Sequence, residues 1–547
     1  MLKSVILGFT ESGSLELETK GITIFVGPNN SGKSLVLREL EEAFRVHPFP
    51  QGLKILKDYD VEWPSLEEVK ARIAKAKLQS EPGLPLGHFS VSRISPSGGR
   101  ETSTLTEPEL EHIVSLRTDR HWLATQYLKW GVLRLDGRSR FDLTNDQVGG
   151  DLQSPPQNVL AHLFQDDEAR LKVRATVKDA FDLTFMIDPT NLGQLRIRLA
   201  TSNPLFNEQS LNHQAREFHG NALHIKDASD GVQAFTGIIA AVMSGEFHTL
   251  MIDEPEAFLH PPLARKLGKY LASLATERGG SLIASTHSAD FLMGCVQTSQ
   301  SVRVVRLEYS QGKSRARSID PKQLNEFFRK PLIRSANVIS GLFHDGVIVL
   351  ESDNDRAFYA EIYYRMSEGR PGCPSILFVN AQNKQTISEI MGPLRQFGVP
   401  AAAITDIDVV KDKGTSWLTA ARVPSALHIG WNQQRSAIDA ALKASGRDMK
   451  NDGGISILEG QERAAAEQYL SQLETFGVFV VERGELENWL PELQVPGKKT
   501  DWAIKMLERL GSDPMDTNYV RPGEDDVWFF MEKIVSWIKD PARKGTV

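Results

Sequence analysis

Continuous apolar runs rich in β-branched residues recur along the chain and predict strands that are buried on both faces. They lie at residues 22–26, 249–252, 281–284, 347–350 and 401–404. Segments with helical spacing separate several of them, for example residues 35–44 and 355–366. Strands that alternate with helices are typical of parallel sheets. Both ends of the chain are therefore predicted to be α/β.

The domain organisation follows from where this alternation holds. Residues 45–220 do not show it and are interpreted as an accessory insertion, containing a helix at 159–181 and a strand at 195–199. A basic segment at 313–334 follows the first α/β part, and a boundary is placed near 335. We expect a first domain at 1–335 that includes the insertion. A second domain is expected at 336–547, with a helical extension at its end.

The composition is that of a globular, multidomain chain. It has 547 residues, of which 41% are hydrophobic and 24% charged, with a formal net charge of −7. The only two cysteines, Cys295 and Cys373, exclude a disulfide scaffold and a cysteine-rich zinc site. No apolar run is long enough to span a membrane, and no signal peptide is evident, so a cytoplasmic location is expected.

A phosphate-binding loop is predicted directly after the first buried strand. The loop matches the pattern G-x-x-x-x-G-K-[ST] and reads Gly27-Pro28-Asn29-Asn30-Ser31-Gly32-Lys33-Ser34. Backbone amides of such a loop point at phosphates, Lys33 would reach the β- and γ-phosphates, and Ser34 would bind Mg²⁺. The alternative is a glycine-rich surface turn, which the strand before the loop and the helix after it disfavour.

Two later strands end in polar residues that suit nucleotide hydrolysis. The strand at 249–252 ends in Asp253 and Glu254, and the strand at 281–285 leads to His287. Asp253 could hold Mg²⁺ through water, and Glu254 could polarise the attacking water. Each strand end alone is equally compatible with a solvated terminus.

Together these segments resemble the ABC-type ATPases related to SMC, RecF and OLD proteins. The resemblance rests on the phosphate loop, on Asp253–Pro261, on Ser285–Ser288 and on a signature-like segment at 228–233. It implies that ATP joins two heads, each completing the other's site. It assigns nucleotide contacts to Gly27, Asn29, Asn30, Ser31, Gly32, Lys33, Ser34, Ser229, Gly231 and Asp253. Of these, Ser34 and Asp253 would hold the Mg²⁺ ion of the nucleotide. Glu254 would be the catalytic carboxylate and His287 the switch histidine.

Three features of this half depart from the family or stay open. The signature lacks a second adjacent glycine, so ATP could serve mainly as a conformational switch. Gln126 is only a candidate for the family's glutamine loop. Residues 133–138 are predicted to form an ordinary hairpin rather than a nucleotide contact.

Carboxylates gather after the predicted strands of the second domain. Glu351 follows the strand at 347–350, and Asp406 and Asp408 follow the strand at 401–405. Alternation along an extended chain would put Asp406 and Asp408 on one side. The carboxyl ends of parallel strands meet at one crevice, and clustered carboxylates there suit Mg²⁺ or Mn²⁺. The alternative is a set of solvated strand ends.

This arrangement resembles a TOPRIM domain, and an ATPase followed by TOPRIM is the order found in OLD-family nucleases. Ser352 replaces the usual glycine, and Asn383-Lys384 stands where many members have Gly-Lys. The resemblance implies catalytic roles for Glu351, Asp406, Asp408 and a lysine at Lys498 or Lys499. It implies metal ligands at Glu351, Asp355, Asp406, Asp408 and Glu487, with Glu487 preferred over Glu485. A solvated helix start is the alternative for the Glu485–Glu487 segment.

The function expected from both halves is ATP-regulated, two-metal phosphodiester hydrolysis, with Glu351 as a possible direct base. The resemblance implies a role in defence against phage or in DNA maintenance. The expected partners are nucleic acid (DNA rather than RNA), a second copy of the chain, and a protein encoded beside it. The basic segment at 313–334 would track phosphates or form a solvated helix face. The alternative function is a non-cleaving ATPase sensor that regulates a partner.

Overall fold

The structure is a computed structural model and describes residues 1–76, 84–94, 99–153, 156–245, 247–335, 337–411 and 416–546. The chain divides into two compact units, one from residues 1–26 and 30–322 and the other from residues 27–29 and 323–547. The division after Lys322 falls slightly before the boundary predicted near 335. Within the described ranges, no helix has both the length and the apolar character needed to cross a membrane.

The first unit contains fifteen strands in the described residues. They are β1 (Leu2–Phe9), β2 (Gly13–Glu18), β3 (Gly21–Val26), β4 (Leu56–Val61), β5 (His88–Ile94), β6 (Arg100–Thr106), β7 (Val132–Leu135), β8 (Gln147–Val148), β9 (Thr184–Asn191), β10 (Gln194–Ala200), β11 (Leu223–His224), β12 (Thr249–Asp253), β13 (Ser281–Ser285), β14 (Val302–Ser310) and β15 (Lys313–Ile319).

The helices of this unit cover these strands and connect them. They are α1 (Lys33–Arg45), α2 (Leu66–Ala76), α3 (Glu107–Leu116), α4 (Arg120–Gln126), α5 (Ser139–Asp142), α6 (Val159–Gln165), α7 (Asp167–Phe181), α8 (His213–Asn221), α9 (Asp230–Met243), α10 (Pro261–Glu277) and α11 (Ala289–Thr298). Short 3₁₀ turns occur at Leu128–Gly131 and Ile225–Asp227.

A six-stranded sheet in the order β15-β14-β3-β13-β12-β7 positions the nucleotide site. Its five strands from β14 to β7 run parallel, and only β15 is antiparallel. The apolar run predicted at 22–26 is the core of β3, where Ile24 and Val26 are fully buried. Burying each such side chain contributes about 1.5–3 kcal/mol before entropy is counted, so the strand is held firmly in the middle of the sheet.

Three sequence predictions in this unit need correction. Residues 133–138 do not form a hairpin, because residues 132–135 are the parallel edge strand β7 beside β12. The helix predicted at 159–181 is two helices, since Asp166 has an extended backbone and its side chain caps α7 by accepting from the Ala169 amide. The basic segment is not one helix, because Lys313–Ile319 pairs with β14 as strand β15.

Smaller antiparallel sheets occupy part of the residues predicted as an insertion. β2-β1-β4 form one sheet, β5 and β6 pair as a two-stranded sheet, and β10 joins β8, β9 and β11. Asp188 of β9 is fully buried, with its carboxylate 2.9 Å from Arg196 Nη2 and 3.0 Å from Arg198 Nε. That pairing satisfies a charge that would otherwise be costly inside the sheet.

The second unit is a parallel α/β domain, as the alternation of strands and helices predicted. Its strands are β16 (Gly346–Leu350), β17 (Ile376–Asn380), β18 (Ala401–Thr405) and β19 (Val478–Val480), in the order β17-β16-β18-β19. All three pairings are parallel.

Its helices begin at the division between the units and follow the strands. They are α12 (Pro321–Arg329), α13 (Pro331–Ser335), α14 (Asp353–Ser367), α15 (Lys384–Gln396), α16 (Ser416–Ala420), α17 (Ser425–Ala444), α18 (Gly460–Thr475), α19 (Lys499–Leu510) and α20 (Asp526–Lys539). Short 3₁₀ turns lie at Val338–Phe343, Ile407–Lys411, Gly454–Ile457, Leu486–Asn488 and Pro491–Leu493.

Candidate nucleotide and nuclease sites

The phosphate loop has the backbone that its glycines predict. Gly32 has a φ of 98°, and a Cβ there would lie 2.8 Å from Ile55 Cδ1, so the position favours glycine on both counts. Asn30 is also left-handed, at a φ of 62°. Helix α1 begins at Lys33, directly after the loop, and the amides of a helix's first turn are the groups that bind phosphate at such a site.

The Mg²⁺ position expected beside this loop is supported by two contacts. The Ser34 hydroxyl donates to Asp253 Oδ1 at 2.9 Å, although the two residues are far apart in sequence. The Ser285 hydroxyl donates to the same oxygen. Strands β12 and β13 bring Asp253 and Ser285 directly opposite each other. These oxygens are of the kind that holds the Mg²⁺ of a bound nucleotide, so the donor set fits ATP with Mg²⁺.

Lys33 lies almost fully buried among acidic groups. Burial lowers its pKa to about 8, while the charges of Glu254, Asp253 and Glu256 oppose that shift. Phosphate oxygens would supply the anionic partner that this position favours.

Glu254 and His287 stand beside Asp253 as the sequence suggested. His287 Nε2 lies 3.6 Å from Glu254 Oε1, and the Glu254 amide donates to the Ser285 carbonyl at 3.0 Å. Glu254 has a φ of 47°, a conformation that is uncommon outside glycine. Such strain is concentrated at functional sites, where the surrounding structure enforces it.

Two further residues hold this strained turn, and the sequence analysis missed both. The buried Arg140 donates to the carbonyl oxygens of Asp253 at 2.8 Å and of Glu254 at 2.9 Å. Glu256 accepts from the His287 amide at 2.7 Å, and burial raises the pKa of its carboxyl. Glu256 lies inside the recognised Asp253–Pro261 segment. No motif marks Arg140.

The signature-like segment begins helix α9. Ser229 is the residue before the helix, is exposed, and makes no side-chain cap to it. A Cβ on Gly231 would lie 2.7 Å from the Phe258 carbonyl oxygen, so close packing within the chain already requires glycine there. Gln126 ends helix α4, where its carbonyl accepts the indole N–H of Trp130 at 2.9 Å.

The basic segment pairs partly with its own unit. Lys313 Nζ lies 3.0 Å and Arg315 Nη2 3.2 Å from the carboxylate of Glu11. Its remaining basic residues lie in β15, α12 and α13, except Lys330, which lies between the two helices. The phosphate-tracking surface predicted for it therefore has part of its charge offset.

In the second unit, the carboxyl ends of adjacent parallel strands bring the predicted carboxylates together. Glu351 follows β16, and Asp406 follows β18. Asp408 lies in a 3₁₀ turn, so the prediction that extended alternation aligns it with Asp406 was wrong. Both carboxylates nevertheless meet the Lys450 ammonium, at 2.6 Å from Asp406 Oδ2 and 3.4 Å from Asp408 Oδ2.

The carboxylates of this cluster outnumber the positively charged groups that contact them. Burial, and then the charges of Asp406 and Asp408, raise the pKa of Glu351 to about 7. Burial raises the pKa of Asp406 to about 6 against the opposing effect of Lys450. Buried Glu351 Oε1 and Asp408 Oδ1 make no hydrogen bond within the described chain. Asp408 Oδ1 lies 3.4 Å from Lys384 Nζ, so Glu351 Oε1 is the oxygen of the two that fits a divalent cation.

Asp355 and Ser352 form the start of helix α14. The Ser352 hydroxyl donates to Asp355 Oδ2 at 2.6 Å and accepts from the Asp355 amide at 3.3 Å. Burial raises the pKa of Asp355. Ser352, which replaces the family's glycine, therefore serves as a helix cap.

The two candidate glutamates of the later acidic segment, Glu485 and Glu487, have different partners. Glu485 Oε2 lies 4.0 Å from Lys450 Nζ, and burial raises the pKa of Glu485. Glu487 is instead held by the Lys499 amide, which donates to its Oε1 at 2.6 Å. The Lys498 ammonium donates to Asn451 at 2.9 Å, on the exposed surface.

Two lysines not predicted for this role contact the acidic cluster directly. They are Lys450 and Lys384, whose Nζ lies 3.4 Å from Asp408 Oδ1. Across the described residues, no three His, Cys, Asp or Glu side chains are already arranged around one ion position. The Lys450 ammonium lies within the acidic cluster and provides part of the positive charge there.

Comparisons with known proteins match both halves. The family model described as "AAA domain, putative AbiEii toxin, Type IV TA system" matches residues 103–294, which include Ser229, Asp253 and His287. The model described as "Overcoming lysogenization defect protein-like, TOPRIM domain" matches residues 342–408, which include Glu351, Asp406 and Asp408.

Two curated relatives carry the OLD name. The OLD nuclease of Thermus scotoductus is 20% identical over 435 residues, covering 72% of this chain and 79% of the relative. The Old nuclease of Escherichia phage P2 is 22% identical over 169 residues, covering 30% of this chain and 28% of that protein. Among solved structures, the SMC head domain from Thermotoga maritima aligns with a TM-score of 0.28 at 12% identity, covering 58% of this chain and 99% of that one.

The order of the two domain matches agrees with the geometry, since each match contains the strand ends that carry one carboxylate set. The OLD nuclease of Thermus scotoductus aligns with 72% of the chain. The chain therefore has an ATPase domain followed by a TOPRIM domain, and it is similar to the OLD nucleases.

Proposed function

We propose that the chain is an endonuclease that hydrolyses phosphodiester bonds with Mg²⁺ or Mn²⁺ in its TOPRIM domain, under the control of ATP. The observation that carries the proposal is the convergence of Glu351, Asp406 and Asp408 around one lysine. Glu351 Oε1 is a buried oxygen that makes no hydrogen bond in the described chain. A divalent cation is the partner that such oxygens favour.

The TOPRIM residues divide the chemistry between them. Glu351 and Asp406 would hold the divalent ion, which when bound supplies a polarised water and stabilises charge on phosphate. Before the ion binds, the raised pKa of Glu351 also suits a group that takes a proton from water near neutral pH. A second ion, held by Asp408 and Glu487, is the expectation from the sequence.

The ATPase residues would bind the nucleotide and time its hydrolysis. Lys33 would hold the terminal phosphates, and Ser34 with Asp253 would hold Mg²⁺. Glu254 would orient the attacking water, with His287 against its carboxylate. Ser229 and Gly231 would meet the phosphate bound to a second copy, so ATP would join two chains.

The biological setting is proposed from resemblance alone. DNA is the favoured substrate over RNA, and the role is defence against phage or DNA maintenance in the cytoplasm. A protein encoded beside this one would be a further partner. Both relatives are named nucleases, which supports a nucleic acid substrate.

A cleavage experiment tests the proposal. The full chain is incubated with plasmid, linear DNA and total RNA, with Mg²⁺ or Mn²⁺, with and without ATP. Wild type should cleave, whereas Glu351→Ala and Asp406→Ala should lose about 100-fold or more in rate, because each removes a ligand or base. Asp353→Ala is the matched control, since Asp353 pairs with Arg356 on the surface two residues from Glu351.

The outcomes separate the two functions. Cleavage by wild type and the control, but by neither active-site variant, supports the nuclease. An absence of cleavage with every substrate, metal and nucleotide would contradict it. That absence would favour an ATPase sensor that regulates a partner.

A further inference from the structure

Lys450 approaches the acidic cluster from outside every motif of the family resemblance. It lies 44 positions from Asp406, on the loop between helices α17 and α18, yet its Nζ is 2.6 Å from Asp406 Oδ2. The same ammonium lies 3.4 Å from Asp408 Oδ2 and 4.0 Å from Glu485 Oε2. One lysine thus lies within reach of three carboxylates.

Hydrogen bonds and close packing hold the backbone of Lys450 in place. Its carbonyl accepts from the Asn488 side-chain amide at 2.6 Å, and its amide donates to Asp448 Oδ1 at 2.8 Å. Gly484 has a φ of 119°, and a Cβ there would overlap the Lys450 carbonyl. The segment that carries Glu485 and the loop that carries Lys450 are therefore packed too closely for any residue but glycine.

Asp408 is the carboxylate most fully matched by positive charge. Lys450 lies against one of its oxygens, and Lys384 Nζ lies 3.4 Å from the other. Two ammonium groups therefore lie where the sequence-based scheme places a second divalent ion. A divalent ion at Asp408 would meet an ammonium group against each carboxylate oxygen, whereas at Asp406 only Oδ2 has one, from Lys450. The position at Asp408 is therefore the less favourable one for a divalent ion.

We propose that the Lys450 ammonium takes the place of the second cation, so that the nuclease centre holds one divalent ion, at Glu351 and Asp406. Asp408 then orients Lys450 and Lys384 instead of binding metal. The two ammonium groups provide positive charge next to the ion, where the scissile phosphate of a nucleic acid would bind. This inference rests on the proposed nuclease function and alters its metal content.

The test counts ions instead of measuring cleavage. Mn²⁺ binding to the full chain is measured without nucleotide by calorimetry and by electron paramagnetic resonance. A chain with both Glu351→Ala and Asp408→Ala is titrated in parallel, so that only ions dependent on these two carboxylates are counted. Wild type should bind one such Mn²⁺, and Lys450→Met should bind a second. Lys450→Arg keeps the charge and should stay at one.

Lys443→Met is the matched control. Lys443 lies on helix α17 in the same unit and pairs with Asp439 at 2.6 Å, an exposed lysine with a carboxylate partner outside the cluster. Its Mn²⁺ count should equal that of wild type. Far-ultraviolet circular dichroism verifies that each variant is folded.

Each result decides the matter. Two ions dependent on Glu351 and Asp408 in wild type, or an unchanged count in a folded Lys450→Met, would overturn the inference and leave the nuclease function standing. If wild type shows no Mn²⁺ that depends on these carboxylates, the proposed function itself fails.

Discussion

Gly231 shows how packing and function compete for a single position. The family resemblance assigns it to the phosphate of a second chain. Its missing side chain also lets helix α9 approach the Phe258 carbonyl, which a Cβ would meet at 2.7 Å. Phe258 itself has a left-handed φ of 69°, so it belongs to the same tight turn as Glu254. A glycine here is required before any partner binds.

Gly231→Ala should therefore destabilise the chain without nucleotide. Forcing a methyl group against a backbone carbonyl costs about 1–3 kcal/mol and should lower the Tm in differential scanning fluorimetry. Gly220→Ala is the control, because Gly220 lies in helix α8 with open space around it, and alanine should keep or raise the Tm. Equal Tm values for Gly231→Ala and wild type would contradict the packing role.

At the scale of elements, the sequence predicted best where strands are buried on both faces. β3, β12, β13, β16 and β18 were all found close to their predicted positions, because a continuous apolar run admits few other structures. The edge strand β7 was mistaken for a hairpin. Only four residues long, it alternates apolar residues with Arg134, and its partner β12 is remote in sequence.

Asp188 makes the stability of the β9–β10 pair depend on pH. Burial alone would raise its pKa, but hydrogen bonds from Thr190 and Arg198 outweigh that effect and hold it below the ordinary value near 3.8. The ionised carboxylate therefore stabilises the fold at every pH above that value. This contribution is lost as the pH falls through the folded-state pKa.

Acid unfolding measures this contribution. The Tm of wild type, followed from about pH 7 to about pH 3, should fall more steeply at the acid end than that of Asp188→Asn. The variant should already be less stable at pH 7, by about 3 kcal/mol, because Arg196 and Arg198 lose their shared anion. Parallel Tm curves for the two proteins would show that Asp188 does not govern the acid transition.

At the scale of the whole molecule, the sequence placed both sites at strand ends but did not reveal everything that surrounds them. Glu351, Asp406 and Asp253 could be predicted because polar residues follow buried strands directly. Lys450 and Arg140 could not, since each comes from a loop or short helix that only the folded chain brings near. The lysine predicted from the resemblance, Lys498 or Lys499, lies at the surface beside Asn451 and Glu487.

The proposed ATP-dependent pairing of two chains gives a prediction at this scale. Glu254→Gln should bind ATP, hydrolyse it about 100-fold or more slowly, and so accumulate as a dimer with ATP in sedimentation velocity. Glu277→Gln, on the outer part of helix α10 beside Ser273, should behave like wild type. A monomer at micromolar concentration, with and without ATP, in both Glu254→Gln and wild type would contradict pairing through ATP.

Because the reactive groups lie at the ends of strands or just after them, residues inside the two sheets can change during evolution without altering the sites. Apolar residues of similar volume can replace one another inside β3 or β16 at small cost, while the acidic and glycine positions beyond the strands carry the chemistry. Divergence to 20% identity with the Thermus scotoductus protein is then tolerable for such a scaffold. A search for distant relatives should give the few residues at and after the end of each strand more weight than the strands themselves.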